Sequence, residues 1–151
     1  MKRPVKRFKV FIDTSVLIAG VASVTGASAA VLDLCESEAI QMVISGQVLV
    51  EADRNFSAKL PNLVTQFRQF IQDLAPLLLD DPPSAAVKKA SGLVGRKDAA
   101  ILAAAIEAEV DYLITLDKKH FLKEKIQPNV SMEICTPAEF LRHFERIWLQ
   151  D

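Results

Sequence analysis

Short apolar runs alternate with longer stretches in which apolar residues recur at helical spacing, and this alternation organises the chain. Phe8 to Ile12 is apolar and β-rich and ends at Asp13-Thr14-Ser15, after which Val16 to Val21 continue as a helix. Ala29 to Cys35 repeats with helical period, and Gln41 to Ile44 forms a second strand. Ser45 and Gly46 then start a helix whose buried stripe is Val48, Leu49, Ala52 and Phe56. Pro61 to Leu74 predicts an amphipathic helix with Leu63, Phe67, Phe70, Ile71 and Leu74 inward and Pro61 in its first turn. Pro76 to Leu79 is a weak third strand.

Asp80-Asp81-Pro82-Pro83 breaks the chain, with Asp80 and Asp81 as solvated turn residues. A short helix over Ser84 to Ala90 and a loop over Gly92 to Lys97 follow. From Asp98 an alanine-rich run predicts the strongest helix, with Ile101, Leu102, Ala105 and Ile106 on one stripe. Tyr112 to Leu116 is a buried strand ending at Asp117, and Met132 to Cys135 is the last strand. Pro137 opens a final helix carrying Phe140, Leu141, Phe144 and Trp148. Such an order implies an α/β fold with a mainly parallel sheet covered on both faces.

At 151 residues, 50% of them hydrophobic, the chain has the length of one domain spanning residues 1–151. The net charge of -1 excludes a polycation, but Lys2, Arg3, Lys6, Arg7 and Lys9 make a local basic arm over about residues 1–7. Cys35 and Cys135 sit among apolar residues without zinc or disulfide spacing and read as core. No run is apolar for the length of a membrane span, and the basic start has no apolar region and cleavage site after it. A cytoplasmic protein with no membrane contact is expected.

Four acids stand out by position. Asp13 and Asp117 directly follow strands, where parallel sheets bind their ligands. Taken singly, each serves equally well as a helix N-cap. Asp98 is in line with the buried stripe of its helix, and Glu51 borders the stripe of its own, where a solvated glutamate is the simpler reading. Together they suggest an oxygen-ligand metal site, because gathered like charges need a cation to offset their repulsion. Lys59, Arg96, Lys97, Lys118 and Lys119 lie near these acids in sequence and would offer a phosphodiester its counter-charges. Ser15 lacks a nucleophile-elbow context, His120 and His143 belong to no triad, and no glycine loop cradles phosphate.

The segments Phe11-Ile12-Asp13-Thr14-Ser15-Val16-Leu17, Glu51 in the helix after the second strand, Asp98-Ala-Ala-Ile-Leu-Ala-Ala-Ala, and Leu113-Ile-Thr-Leu-Asp117 carry a family likeness. In order and spacing the chain resembles the PIN-domain ribonucleases. Its ending, Thr136-Pro-Ala-Glu-Phe-Leu141, is similar to VapC-like toxin components of bacterial and archaeal toxin–antitoxin pairs. The resemblance implies a three-layer α/β/α sandwich around about five mainly parallel strands. It also implies one or two Mg²⁺ or Mn²⁺ ions at Asp13, Asp98 and Asp117, with Glu51 completing a catalytic quartet that cleaves RNA. The hydroxyls of Thr14 or Thr115 would orient a carboxylate or a water. A small antitoxin and a homodimer are the partners such a likeness implies.

The chain departs from the family pattern where Lys97 and Ala99 flank Asp98 and where Leu116 fills a position often held by glycine. A catalytically silent scaffold binding RNA or protein is the alternative of another class. A haloacid-dehalogenase-like phosphatase would need a second aspartate where Ser15 stands, and a receiver domain would need acids where Lys9 and Val10 stand.

Overall fold

The computed structural model describes residues 7–117 and 123–149, except for the side chains of Arg96, Lys97, Lys123, Glu124 and Leu149. The basic arm before Arg7, the pair Lys118–Lys119 and His120 lie outside the described residues.

Five strands form one sheet: β1 (Lys9–Ile12), β2 (Gln41–Ser45), β3 (Leu77–Leu79), β4 (Tyr112–Ile114) and β5 (Glu133–Cys135). Their order is β3-β2-β1-β4-β5 and every pairing is parallel. The register sets Phe11 beside Val43 on one side and beside Leu113 on the other. Consecutive residues of the central strands are buried, among them Val10, Phe11 and Ile12. A strand buried without alternation is covered on both faces, so the apolar runs in the sequence report two helical layers.

The helices are α1 (Thr14–Ala22), α2 (Ala27–Glu36), α3 (Gly46–Lys59), α4 (Val64–Leu74), α5 (Ser84–Ala90), α6 (Arg96–Glu107), α7 (Lys123–Ile126) and α8 (Pro137–Leu149). Ser45 caps α3 by accepting from the Val48 N–H at 3.3 Å. Thr136 and Glu139 close a reciprocal capping box at the start of α8, with Pro137 in its first turn. The side chain of Gln127 binds the Met132 carbonyl and the Ile134 N–H, which holds β5 in place at the sheet edge. Phe140 seats α8 against Tyr112, ring centroids 4.9 Å apart.

Several expected boundaries move. Pro61–Leu63 is a separate 3-10 turn before α4, and β4 ends at Ile114 rather than Leu116. α6 starts two residues before Asp98, because Gly95 in extended conformation is its N-cap, so Arg96 and Lys97 belong to the helix and not to a loop. The α7 turn was not visible in the hydrophobic pattern. The expected inward face of α4 holds: Phe67 is fully buried, and Leu63, Phe70, Ile71 and Leu74 are partly buried against the core, with the helix packed on α3. Ile106, expected on the buried stripe of α6, is 40% exposed near the helix end.

Helices α1 and α2 meet at Gly20, where a Cβ would stand 2.8 Å from Leu32 Cγ and 3.1 Å from the Ser28 carbonyl oxygen. Gly20→Ala is therefore expected to destabilise. Overpacking costs about 1–3 kcal/mol, more than the roughly 1 kcal/mol that alanine's helix preference returns. Urea denaturation tests this, and a stabilised variant would show that Leu32 has room to step aside. Among the described residues no single helix is long and apolar enough to cross a membrane.

Candidate active site

Strand order places a topological switch between β1 and β4, since the chain runs outward from β1 to β2 and β3 on one side and to β4 and β5 on the other. A crevice opens at the carboxyl ends of such a pair. Asp13 follows β1, and its backbone N–H donates to the Ile114 carbonyl of β4 at 3.1 Å. Asp117 follows β4 from across the same crevice.

Asp13, only 7% exposed, occupies the N-cap position of α1, yet its side chain makes no capping hydrogen bond to that helix. The carboxyl turns to hydroxyls instead. Thr115 Oγ1 donates to Asp13 Oδ2 at 2.7 Å, and Ser15 Oγ donates to the same oxygen at 3.3 Å. Each hydroxyl is itself fixed from the β4 side. The Asp117 N–H donates to Thr115 Oγ1 at 3.0 Å and the Leu116 N–H donates to Ser15 Oγ at 3.2 Å. Two hydroxyls thus link the Asp13 carboxyl to the loop that carries Asp117.

Glu51 lies on α3 and faces the crevice, not the solvent expected of it when read alone. Its Oε2 accepts from Thr14 Oγ1 at 3.3 Å and its Oε1 from Gln47 Nε2 at 2.9 Å. Asp98 sits in the first turn of α6, half-buried, behind a glycine N-cap. All four acids line one cleft of about 470 Å³ together with Thr14, Ser15 and Asn55. Lys59 is exposed on α3 and does not line it, while the side chains of Arg96, Lys97, Lys118 and Lys119 lie outside the described residues.

Burial pushes the Asp13 carboxyl above its ordinary range, and the Asp98 charge adds to that; hydrogen bonds from Thr115, the Thr14 backbone and Ser15 oppose it without cancelling it. Asp53, partly exposed on α3, shows the opposite case. Arg68 binds it through two hydrogen bonds of 2.8 and 2.9 Å and lowers its pKa. Cys35 is buried and its thiol is pushed up to about 12, which leaves it a core residue and no nucleophile.

The donor set suits a hard divalent cation in kind, being oxygen throughout and acidic on every wall of the cleft. Among the described residues no three acidic, histidine or cysteine side chains are grouped closely enough to hold an ion as they stand. Sequence reasoning missed Ser15 and Asn55. The latter donates to the Glu51 carbonyl at 2.9 Å and shares its helix face at a spacing of four, a signal that was present in the sequence.

A parallel α/β sandwich with a carboxylate-lined cleft at its switch point defines the class of the protein. The chain belongs to the PIN-domain family, which it matches over residues 9–119. Solved structures share the fold at low identity. VapBC2 from Rickettsia felis, solved bound to a DNA fragment from its promoter, is similar with a TM-score of 0.56 and 17% identity over 85% of this chain and 98% of the other. PAE2754 from Pyrobaculum aerophilum gives a TM-score of 0.59 and 17% identity over 89% and 88% of the two chains. FitAcB from Neisseria gonorrhoeae gives 0.59 and 16% over 85% and 98%. No curated protein sequence matches the chain significantly.

Proposed function

We propose that this protein is a Mg²⁺- or Mn²⁺-dependent endoribonuclease and the toxin member of a toxin–antitoxin pair. The observation that carries the reading is the buried Asp13 carboxyl, held by the Thr115 and Ser15 hydroxyls and sharing one cleft with Glu51, Asp98 and Asp117. A carboxylate that merely capped α1 would need neither burial nor three acidic neighbours. Asp13, Asp98 and Asp117 would hold the cation, with Glu51 beside them. Bound there, a divalent ion supplies a water of lowered pKa and offsets charge on the phosphate being attacked.

The protein's own groups do the positioning. Thr115 and Ser15 fix Asp13 Oδ2 from two sides, so the carboxyl presents one orientation to the cleft. Thr14 and Gln47 hold Glu51 by separate oxygens. Arg96 and Lys97 before Asp98, and Lys118 and Lys119 after Asp117, adjoin these acids in sequence and are assigned to flanking phosphates. Lys59 would reach only RNA that runs beyond the cleft. Family membership, the likeness of fold to VapBC2 and FitAcB, and the Thr136–Leu141 ending support the toxin assignment, with a small antitoxin and a second copy of the chain as partners.

The test is cleavage of end-labelled RNA in Mn²⁺ by the parent, Asp98→Asn and Asp117→Asn. Each substitution is expected to cost at least about 100-fold, since even groups that only orient metal ligands are worth 10–100-fold. Undiminished cleavage by either variant sinks the assignment. A metal-dependent rise in melting temperature with no cleavage by the parent would favour a binding scaffold instead.

A further inference from the structure

A second hollow opens beside the cleft. It lies between α5 and α6, measures about 700 Å³, and is walled by Pro82, Val87 and Val94, with Lys88 and Ser84 also in its lining. Gly95 lines both hollows, so they adjoin at a residue with no side chain. Their chemistry is opposite. The cleft carries four carboxylates, whereas the groove's lining contains none and presents one ammonium above an apolar wall.

The geometry points to the α5–α6 groove as the seat of the RNA segment flanking the scissile phosphodiester, an inference that rests on the nuclease reading. A strand held by one phosphate at the acidic cleft must leave it, and the groove meets the cleft at Gly95, which itself carries no side chain. Single-stranded RNA combines a flat apolar face with one negative charge per nucleotide, which matches an apolar wall bordered by a lysine. The base rests against Pro82, Val87 and Val94, and the adjoining phosphate meets Lys88. Bases of any kind have such a face, so the groove gives affinity with little sequence preference.

Gly95 also supplies the cleanest probe. Its φ of -60° suits any residue, and an added Cβ meets nothing within 4 Å, so Gly95→Leu should block the junction of cleft and groove at no more than the small cost of a poorer N-cap. Lys88→Glu reverses the groove's charge, and Lys125→Glu makes the same change at an exposed site on α7. The measurement is fluorescence anisotropy of a fluorescein-labelled oligouridylate bound to the full chain, with Ca²⁺ in place of Mg²⁺, alongside melting temperatures. Gly95→Leu and Lys88→Glu are each expected to weaken binding roughly ten-fold, the order of one base or phosphate contact, while Lys125→Glu leaves it within two-fold or so; both lysine variants melt with the parent and Gly95→Leu melts slightly lower. If the parent binds and both groove variants bind equally well, or Lys125→Glu loses as much as Lys88→Glu, the groove assignment is overturned and the nuclease reading stands. A peptide occupant of the groove would give the first of these results. A parent that binds no RNA removes the nuclease reading and this inference together.

Discussion

Asp13→Asn is expected to lose RNA cleavage by at least about 100-fold and, without metal, to melt at a higher temperature than the parent at neutral pH. The two effects have one cause. Burial and the Asp98 charge raise the Asp13 pKa in the folded protein above its ordinary value of 3.8. Between that value and the raised one, the folded state binds more protons than the unfolded state, so stability falls as pH rises through the interval. Above it the carboxyl is ionised in both states, and the folded protein carries the full cost of the buried charge. Asparagine removes that charge and keeps an oxygen to accept from Thr115 and Ser15.

Added Mg²⁺ should reverse the ranking, because a cation that binds the native state stabilises the parent in proportion to occupancy and the variant much less. Thermal melts of the two proteins with and without Mg²⁺ at neutral pH, paired with the cleavage assay, make the comparison. A variant that melts below the parent in the absence of metal would mean that the hydroxyl bonds outweigh desolvation. The account of Asp13 as a costly buried charge would then fail, whereas undiminished cleavage would remove its catalytic role.

Phe56→Ala is expected to cost about 3–5 kcal/mol, a large share of the 5–15 kcal/mol that domains possess. Phe56 is fully buried on α3 and stacks on Phe67 of α4 with ring centroids 4.7 Å apart. The surface pair Arg68–Asp53 joins the same two helices but is exposed and offsets little of such a loss. Since Glu51 rides on α3, the truncation should also lower cleavage in molecules that remain folded. Guanidinium denaturation with an unchanged slope reads the stability term, and a cost under about 1 kcal/mol would show that the cavity collapses.

Strands and helices were legible because their patterns are local. Val10, Phe11 and Ile12 had to be β and buried on both faces, and Ser45 and Pro137 announced helix starts through their own backbone chemistry. Asp13 was not legible in the same way, since an aspartate after a strand satisfies a cap and a ligand position equally. What holds its carboxyl is Thr115, a hydroxyl 102 positions away that only strand pairing brings to it. Glu51 was misread alone for the same reason, its partner Thr14 being 37 positions distant. The start of α6 was placed late because Gly95 caps by backbone geometry and leaves no side-chain signal. Ile106 is exposed because it stands one residue before the end of α6, which periodicity alone does not mark.

The parallel pairing of β1 with β4 also sets a clock on synthesis. Asp13, Glu51 and Asp98 emerge from the ribosome before β4, but the crevice they line has no second wall until Tyr112–Ile114 pairs with Val10–Ile12. A nascent or prematurely terminated chain therefore holds three of the acids and no cleft. If the protein cuts RNA, the messenger and ribosome making it remain beyond its reach until β4 has emerged and paired with β1.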